Sequence, residues 1–330
     1  MQLLTLIYLA IASFFTVAQA SFIPSNLLKR AFGDATISKN STNITGLLYT
    51  GGEYLTNISN STNNTIVYNA SLNTTNATLP ELAAVSTELN NTKSSSYLAE
   101  LVISAEPESL AKTGFYFALT YPNKTVVVTE NVTKGLYVAN ATESFGRGGL
   151  IVNEKGVIYS AVSYPHAAIG FVTAQGKVAY FLGPSLPKIL NPSSPLYTST
   201  NFTAFNTSSV ASNVTDIPIY NYTGTNSSTS LHSKKKLYPR KSYSSFDEIN
   251  IVAVNSTDEA NNYIKTHKPA TTNSYVVFAS YELTYIDTES LQSNNAIGAG
   301  FLSPVQVSIL IAFAKSAHVK SVKSLFDNLV

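Results

Sequence analysis

Residues 148–183 read GGLIVNEKGVIYSAVSYPHAAIGFVTAQGKVAYFLG. Short β-branched and aromatic runs, Gly149–Val152, Val157–Tyr164, Ala168–Thr173 and Val178–Gly183, are divided by turns at Asn153-Glu154-Lys155-Gly156 and Ala174-Gln175-Gly176-Lys177 and by a break at Pro165. Glycine in a four-residue loop supplies the positive φ that closes a hairpin, so this grammar predicts an antiparallel meander.

Upstream, Phe115–Tyr121, Thr125–Glu130 and Gly135–Ala139 are apolar runs separated by Asn123, Asn131 and Asn140, and Pro122-Asn123 is itself a turn dipeptide. They read as further strands leading into the meander. Alternation in Gly46–Thr50 and Thr65–Asn69 adds two short strands. The expected fold class is mainly β, an antiparallel meander, sandwich or barrel-like sheet, with a smaller α/β C-terminal part ending in a helix.

That C-terminal part has its own punctuation. Ile249–Val254 is strand-like, Ser256-Thr-Asp-Glu259 is a capping box that starts a helix running to about His267, and Tyr275–Ile286 alternates as a long strand. Ser303-Pro304 caps a last helix, with proline placed where its missing N–H has no intrahelical partner. Val305, Ile309, Ala312, Ser316, Val319 and Phe326 form a stripe along it, and residues 305–314 are apolar all round, which reads as a buried helix. A membrane-active helix followed by Lys315, Lys320 and Lys323 is the sharper alternative.

The chain begins with an apolar run from Leu3 to Val17 and small residues at Ala18 and Ala20, the pattern of a secretory signal over residues 1–20. Residues 21–30 read as a propeptide ending at Lys29-Arg30, which resembles the dibasic site cut by kexin-type proteases in fungal secretory precursors. Removing these two leaves 19 basic against 19 acidic residues from Ala31 onward, a formally neutral chain without a charge bias toward nucleic acid. The remainder divides into a glycosylated β domain (31–190), a glycosylated linker (191–245) and the α/β part (246–330). No hydrophobic tail of the lipid-anchor kind closes the sequence, and a transmembrane segment in the mature chain is not expected.

Eighteen Asn-x-Ser/Thr acceptors are present. They are Asn40, Asn43, Asn57, Asn60, Asn63, Asn69, Asn73, Asn76, Asn90, Asn123, Asn131, Asn140, Asn201, Asn206, Asn213, Asn221, Asn226 and Asn255. An occupied acceptor must face solvent, so the map marks surface. From Ala141 to Thr200 there is none, which marks this stretch as sheet interior or as a face kept clear for a partner. The linker ends in Lys234, Lys235, Lys236, Arg240 and Lys241, a solvated loop, a second processing site at Arg240-Lys241, or a contact for an anionic surface.

Chemistry is sparse. With no cysteine, disulfides and thiolate metal sites are excluded, and His166, His232, His267 and His318 have no ligand spacing, so neither metal nor cofactor is expected. Nucleophile-elbow, zinc-protease and phosphate-loop motifs are missing, and no catalytic residue is assigned. Glu130 and Glu143 are the one carboxylate pair considered for glycoside hydrolysis. Tyr159, Tyr164, His166 and Tyr180 are the ligand-binding candidates, because tyrosines on a sugar-free sheet face suit stacking. The expected function is non-catalytic binding at the extracellular or cell-wall surface of a secreted, N-glycosylated protein of fungal type, with glycans as the first partner to test. The alternatives are a dibasic-processed toxin-like precursor and a secreted hydrolase.

Overall fold

The computed structural model describes residues 44–50, 65–69, 77–91, 98–122, 124–190, 217–222, 249–267, 275–316 and 323–326. The signal segment, Lys29-Arg30 and the basic cluster at 234–241 lie outside these residues.

The larger sheet has eight strands in the order β2-β1-β3-β4-β5-β6-β7-β8. The first five are β1 (Ile44–Tyr49), β2 (Thr65–Asn69), β3 (Leu98–Ser104), β4 (Thr125–Thr129) and β5 (Gly149–Val152), and every pairing among them is parallel. Parallel neighbours need crossovers, supplied by α1 (Leu79–Asn91), α2 (Leu110–Thr120) and α3 (Val132–Ala139). Only the remaining strands, β6 (Val157–Ser160), β7 (Ala168–Val172) and β8 (Val178–Tyr180), pair antiparallel, as a flank on the β5 side.

The expectation of a mainly β, antiparallel sandwich or barrel is therefore corrected to an α/β architecture. Two runs expected as strands are helices: Phe115–Tyr121 forms the last turns of α2 with Tyr121 as its C-cap, and Gly135–Ala139 belongs to α3. The cause is burial. Residues 113–119 of α2 are all buried, so the run is apolar on every side and its pattern carries neither helical nor strand period. Strand propensity of Phe and Tyr then yields to packing. Strand β4 is likewise buried along its whole length, as expected for a central parallel strand covered on both faces. Local chemistry does mark the start of α3, where Asn131 Oδ1 accepts from Lys134 N at 3.0 Å.

The two faces separate by the period-two rule. Leu101, Ile103, Val126, Val128 and Ile151 face one core with α1 and α2, whereas Leu47, Val102, Val127, Leu150 and Val152 face another with α3. Close approach of α2 to β5 depends on glycine: a Cβ on Gly149 would stand 2.3 Å from Ala118 Cβ.

The smaller sheet is β12-β11-β10-β9, all parallel: β9 (Ile219–Asn221), β10 (Ile249–Ala253), β11 (Tyr275–Ala279) and β12 (Ala296–Gly298). Helix α4 (Thr257–Thr266) starts at the expected box, with Glu259 N donating to Ser256 Oγ at 3.2 Å and Asn255 N to Glu259 Oε2 at 2.8 Å. Strand β11 stops at Ala279, and residues 280–286 form an irregular loop in place of the expected long strand.

Helix α5 (Pro304–Ser316) joins the two sheets, and α6 (Lys323–Phe326) follows it. One core cluster runs from Val126 and Val128 through α2 to Ile251, Val277 and α5. The Tyr116 and Phe313 rings meet at 5.2 Å across that junction. Residues 309–314 of α5 are buried, so in the intact chain this is a core helix, the first of the two readings of its apolar run. No helix among the described residues is long and apolar enough to cross a membrane.

Candidate functional site

In an open parallel sheet, ligands bind in the crevice outside the carboxyl ends of the strands, where the strand order reverses. Here that reversal lies between β1 and β3, because β2 is laid on one side of β1 and β3 on the other. Along this edge Thr50 N and Oγ1 both donate to Ser104 O, at 2.9 and 2.8 Å, and Ala105 N donates to Thr129 O at 3.0 Å. Thr129 Oγ1 donates to Asn131 O at 2.9 Å, and Ser109 Oγ to Glu106 O at 3.0 Å. These three hydroxyls thus donate to backbone carbonyls, and among the described residues no hydrogen bond joins any of them to a side-chain base.

Beside this edge, the N-terminal turns of α1, α2 and α5 and the start of β9 enclose a cleft of about 440 Å³. Ile217, Ile219, Val305 and Ile309 give it an aliphatic wall, and Glu108 and Lys112 supply its charges. Glu108 lies just ahead of α2, where a carboxylate is favoured by the helix dipole.

The four predicted binding residues do not form one site. Tyr159 and Tyr164 come together edge to face at 5.2 Å, half-buried against the α2 face of the sheet. Burial, then the nearby Glu130 carboxylate, raises the Tyr164 hydroxyl above its ordinary range. His166 is exposed just past the cis Tyr164-Pro165 bond. Tyr180 belongs to the opposite face, where its hydroxyl meets Ser144 Oγ at 2.7 Å and the Arg147 guanidinium covers its ring at 3.7 Å. Arg147, only 6% exposed, also donates to Glu143 O, Gly183 O and Leu182 O. It is a latch between β8 and the turn before β5.

Glu130 follows the carboxyl end of β4 and accepts from Glu154 N. Glu143 lies beyond α3, which crosses back along the sheet, so it stands at the opposite edge before β5. The two do not share a cleft. Among the described residues no group of three His, Cys, Asp or Glu could hold a metal. Of the acceptors, Asn140, Asn221 and Asn255 are exposed and Asn131 is half-exposed, while Asn69 and Asn90 fall in β2 and α1. The other twelve lie outside the described residues.

One feature escaped the sequence reading. Tyr281, Leu283, Tyr285 and Phe301 are exposed on loops at the carboxyl edge of the smaller sheet, and the Tyr285 and Phe301 rings meet at 4.9 Å. Expecting a strand through Ile286 hid them, since alternate aromatics then pass for core.

No family model matches the chain. Protein YGP1 of Saccharomyces cerevisiae is 30% identical over 295 residues, 84% of this chain and 77% of that protein. The sporulation-specific wall maturation protein of the same yeast is 26% identical over 298 residues, 84% of this chain and 86% of that protein. Among solved structures, a probable cytoplasmic L-asparaginase from Campylobacter jejuni superposes with a TM-score of 0.55 at 13% identity, covering 86% of this chain and 99% of that one. At that identity the likeness is one of fold.

Proposed function

We infer the function from one premise: the chain belongs to the family of yeast Protein YGP1. It is an extracellular or cell-wall protein of fungal type, a wall-related component whose work is not catalytic. The observation that carries this reading is the match, over 84% of the chain, to a relative named for wall maturation. The asparaginase likeness is confined to fold, and one fold hosts many functions. In support, Thr50, Ser109 and Thr129 at the carboxyl edge are held by backbone carbonyls, and Glu130 and Glu143 stand at opposite sheet edges.

The chain enters the secretory route through residues 1–20, loses residues 21–30 at Lys29-Arg30, receives N-linked glycans, and binds wall glycans once outside. Intact-mass measurement of the secreted, enzymatically deglycosylated protein checks the processing, with Ala31 as the expected first residue. Binding is checked by pelleting that protein with purified fungal cell walls. Retention with the walls is expected. Protein left wholly in the supernatant, or release of ammonia from asparagine by the purified protein, overturns the reading.

A further inference from the structure

The exposed aromatics of the smaller sheet are built into position. Ile286 N donates to Gly300 O at 3.1 Å and Gly300 N to Ile286 O at 3.0 Å, an isolated bridge that sets Tyr285 and Phe301 side by side. Gly300 has φ +61°, and a Cβ there would stand 3.3 Å from Tyr285 Cε2, so glycine lets the ring lie over the turn. Thr288 Oγ1 exchanges bonds with Gly298, accepting from its N at 2.9 Å and donating to its O at 3.3 Å. Asp287 accepts from Ser290 Oγ and Glu289 N. The backbone is thus braced, yet Tyr285 is 38% and Phe301 54% exposed, with Tyr281 at 48% and Leu283 at 50% on the same loop. A large apolar side chain held outward on a braced loop loses little freedom on binding.

Charge narrows the occupant. Residues 281–303 hold Glu282, Asp287 and Glu289 and no Lys, Arg or His. These loops by themselves carry three negative charges and no positive one, which disfavours phosphate- or sulfate-bearing polymers and anionic membranes as their ligand. They suit a neutral sugar chain, whose C–H faces stack on aromatic rings while its hydroxyls donate to carboxylates. We propose that the Tyr285–Phe301 pair, with Tyr281 and Leu283, is a stacking platform for a neutral pyranose polysaccharide of the cell wall. The proposal rests on the wall-binding reading and assigns it a site other than the Tyr159, Tyr164, His166 and Tyr180 candidates.

The test uses the full secreted chain, deglycosylated, with a soluble neutral β-1,3-glucan, a neutral β-1,4-linked hexasaccharide and a sulfated polysaccharide as probes in affinity electrophoresis. Purified walls serve as a pelleting control. The wild type is expected to be retarded by a neutral probe and not by the sulfated one. A Tyr285→Ser/Phe301→Ser variant is expected to bind about tenfold more weakly, from the stacking contribution of two rings. Tyr285→Trp should retain binding, which separates loss of stacking from loss of fold, and Phe181→Ser at the exposed Phe171–Phe181 pair should leave it unchanged. If the wild type pellets with walls and the double variant pellets equally, the platform is overturned and the wall reading stands. If the wild type fails to pellet, both fall. Stronger retardation by the sulfated probe, or self-association through these loops in sedimentation, also overturns the platform.

Discussion

Glu100 lies in the middle of the parallel sheet at 3% exposure, accepting from Thr45 Oγ1 at 2.8 Å. Burial raises its carboxyl pKa above the ordinary range, and the Thr45 bond opposes that only in part. Folding therefore favours the protonated form. Its stabilising contribution is present in full below the unfolded-state pKa and is lost as pH rises through the folded-state value. Glu100→Gln is accordingly expected to raise unfolding stability by about 1 kcal/mol at pH 7 and to change it little at pH 4. Chemical denaturation at the two pH values checks this, and a pH-independent difference would contradict it. Gln306 presents the opposite case. Its Oε1 accepts from Ser303 N at 2.8 Å to cap α5, while Nε2 donates to Ala161 O at 3.0 Å and Val162 O at 2.8 Å. Gln306→Glu keeps the cap but sets a carboxylate against two carbonyls, and is expected to cost about 2–4 kcal/mol at neutral pH, with partial recovery in acid.

Among elements, the contact of α2 with β5 decides the architecture. Gly149→Ala would push a methyl to 2.3 Å from Ala118 Cβ, and Ala118 Cα is only 3.0 Å away. The single substitution is expected to cost about 1–3 kcal/mol by overpacking, and Ala118→Gly is expected to relieve part of it, giving a favourable coupling in a double-mutant cycle. Additive effects would mean that the helix simply shifts. The same region explains why the antiparallel flank β5–β8 was legible while the parallel sheet and its helices were not. Turn glycines Gly156 and Gly176, with φ of +85° and +82°, announce the β5–β6 and β7–β8 hairpins in the sequence itself. A helix packed between a sheet and another helix has no polar face, so FYFAL at 115–119 looks the same whether it coils or extends. The box at Ser256 was readable because capping is local chemistry. The platform at Tyr285 and Phe301 was not, because it depends on a bridge between residues fourteen positions apart and on which rings end in solvent.

At the scale of the molecule, both sheets share one core through α2 and α5, and this bears on what processing at Arg240-Lys241 would do. Residues 249–267, 275–316 and 323–326 would then be joined to the rest by non-covalent contacts alone, the β9–β10 ladder among them. Ile251, Val277, Leu310 and Phe313 lie in the same cluster as Phe115, Tyr116, Val126 and Ile151, and Gln306 bridges to Ala161 and Val162. Releasing α5 would expose Ile309, Leu310, Ile311 and Phe313, each 1% exposed or less, at about 1.5–3 kcal/mol per side chain. A chain nicked after Lys241 is therefore expected to elute from native gel filtration at the mass of the intact protein and to separate into two pieces only in denaturant. It is also expected to leave dye-loaded vesicles intact, because the apolar surface of α5 stays inside. Separation of the pieces without denaturant, or vesicle leakage on nicking, would mean that the junction between the sheets is a releasable interface.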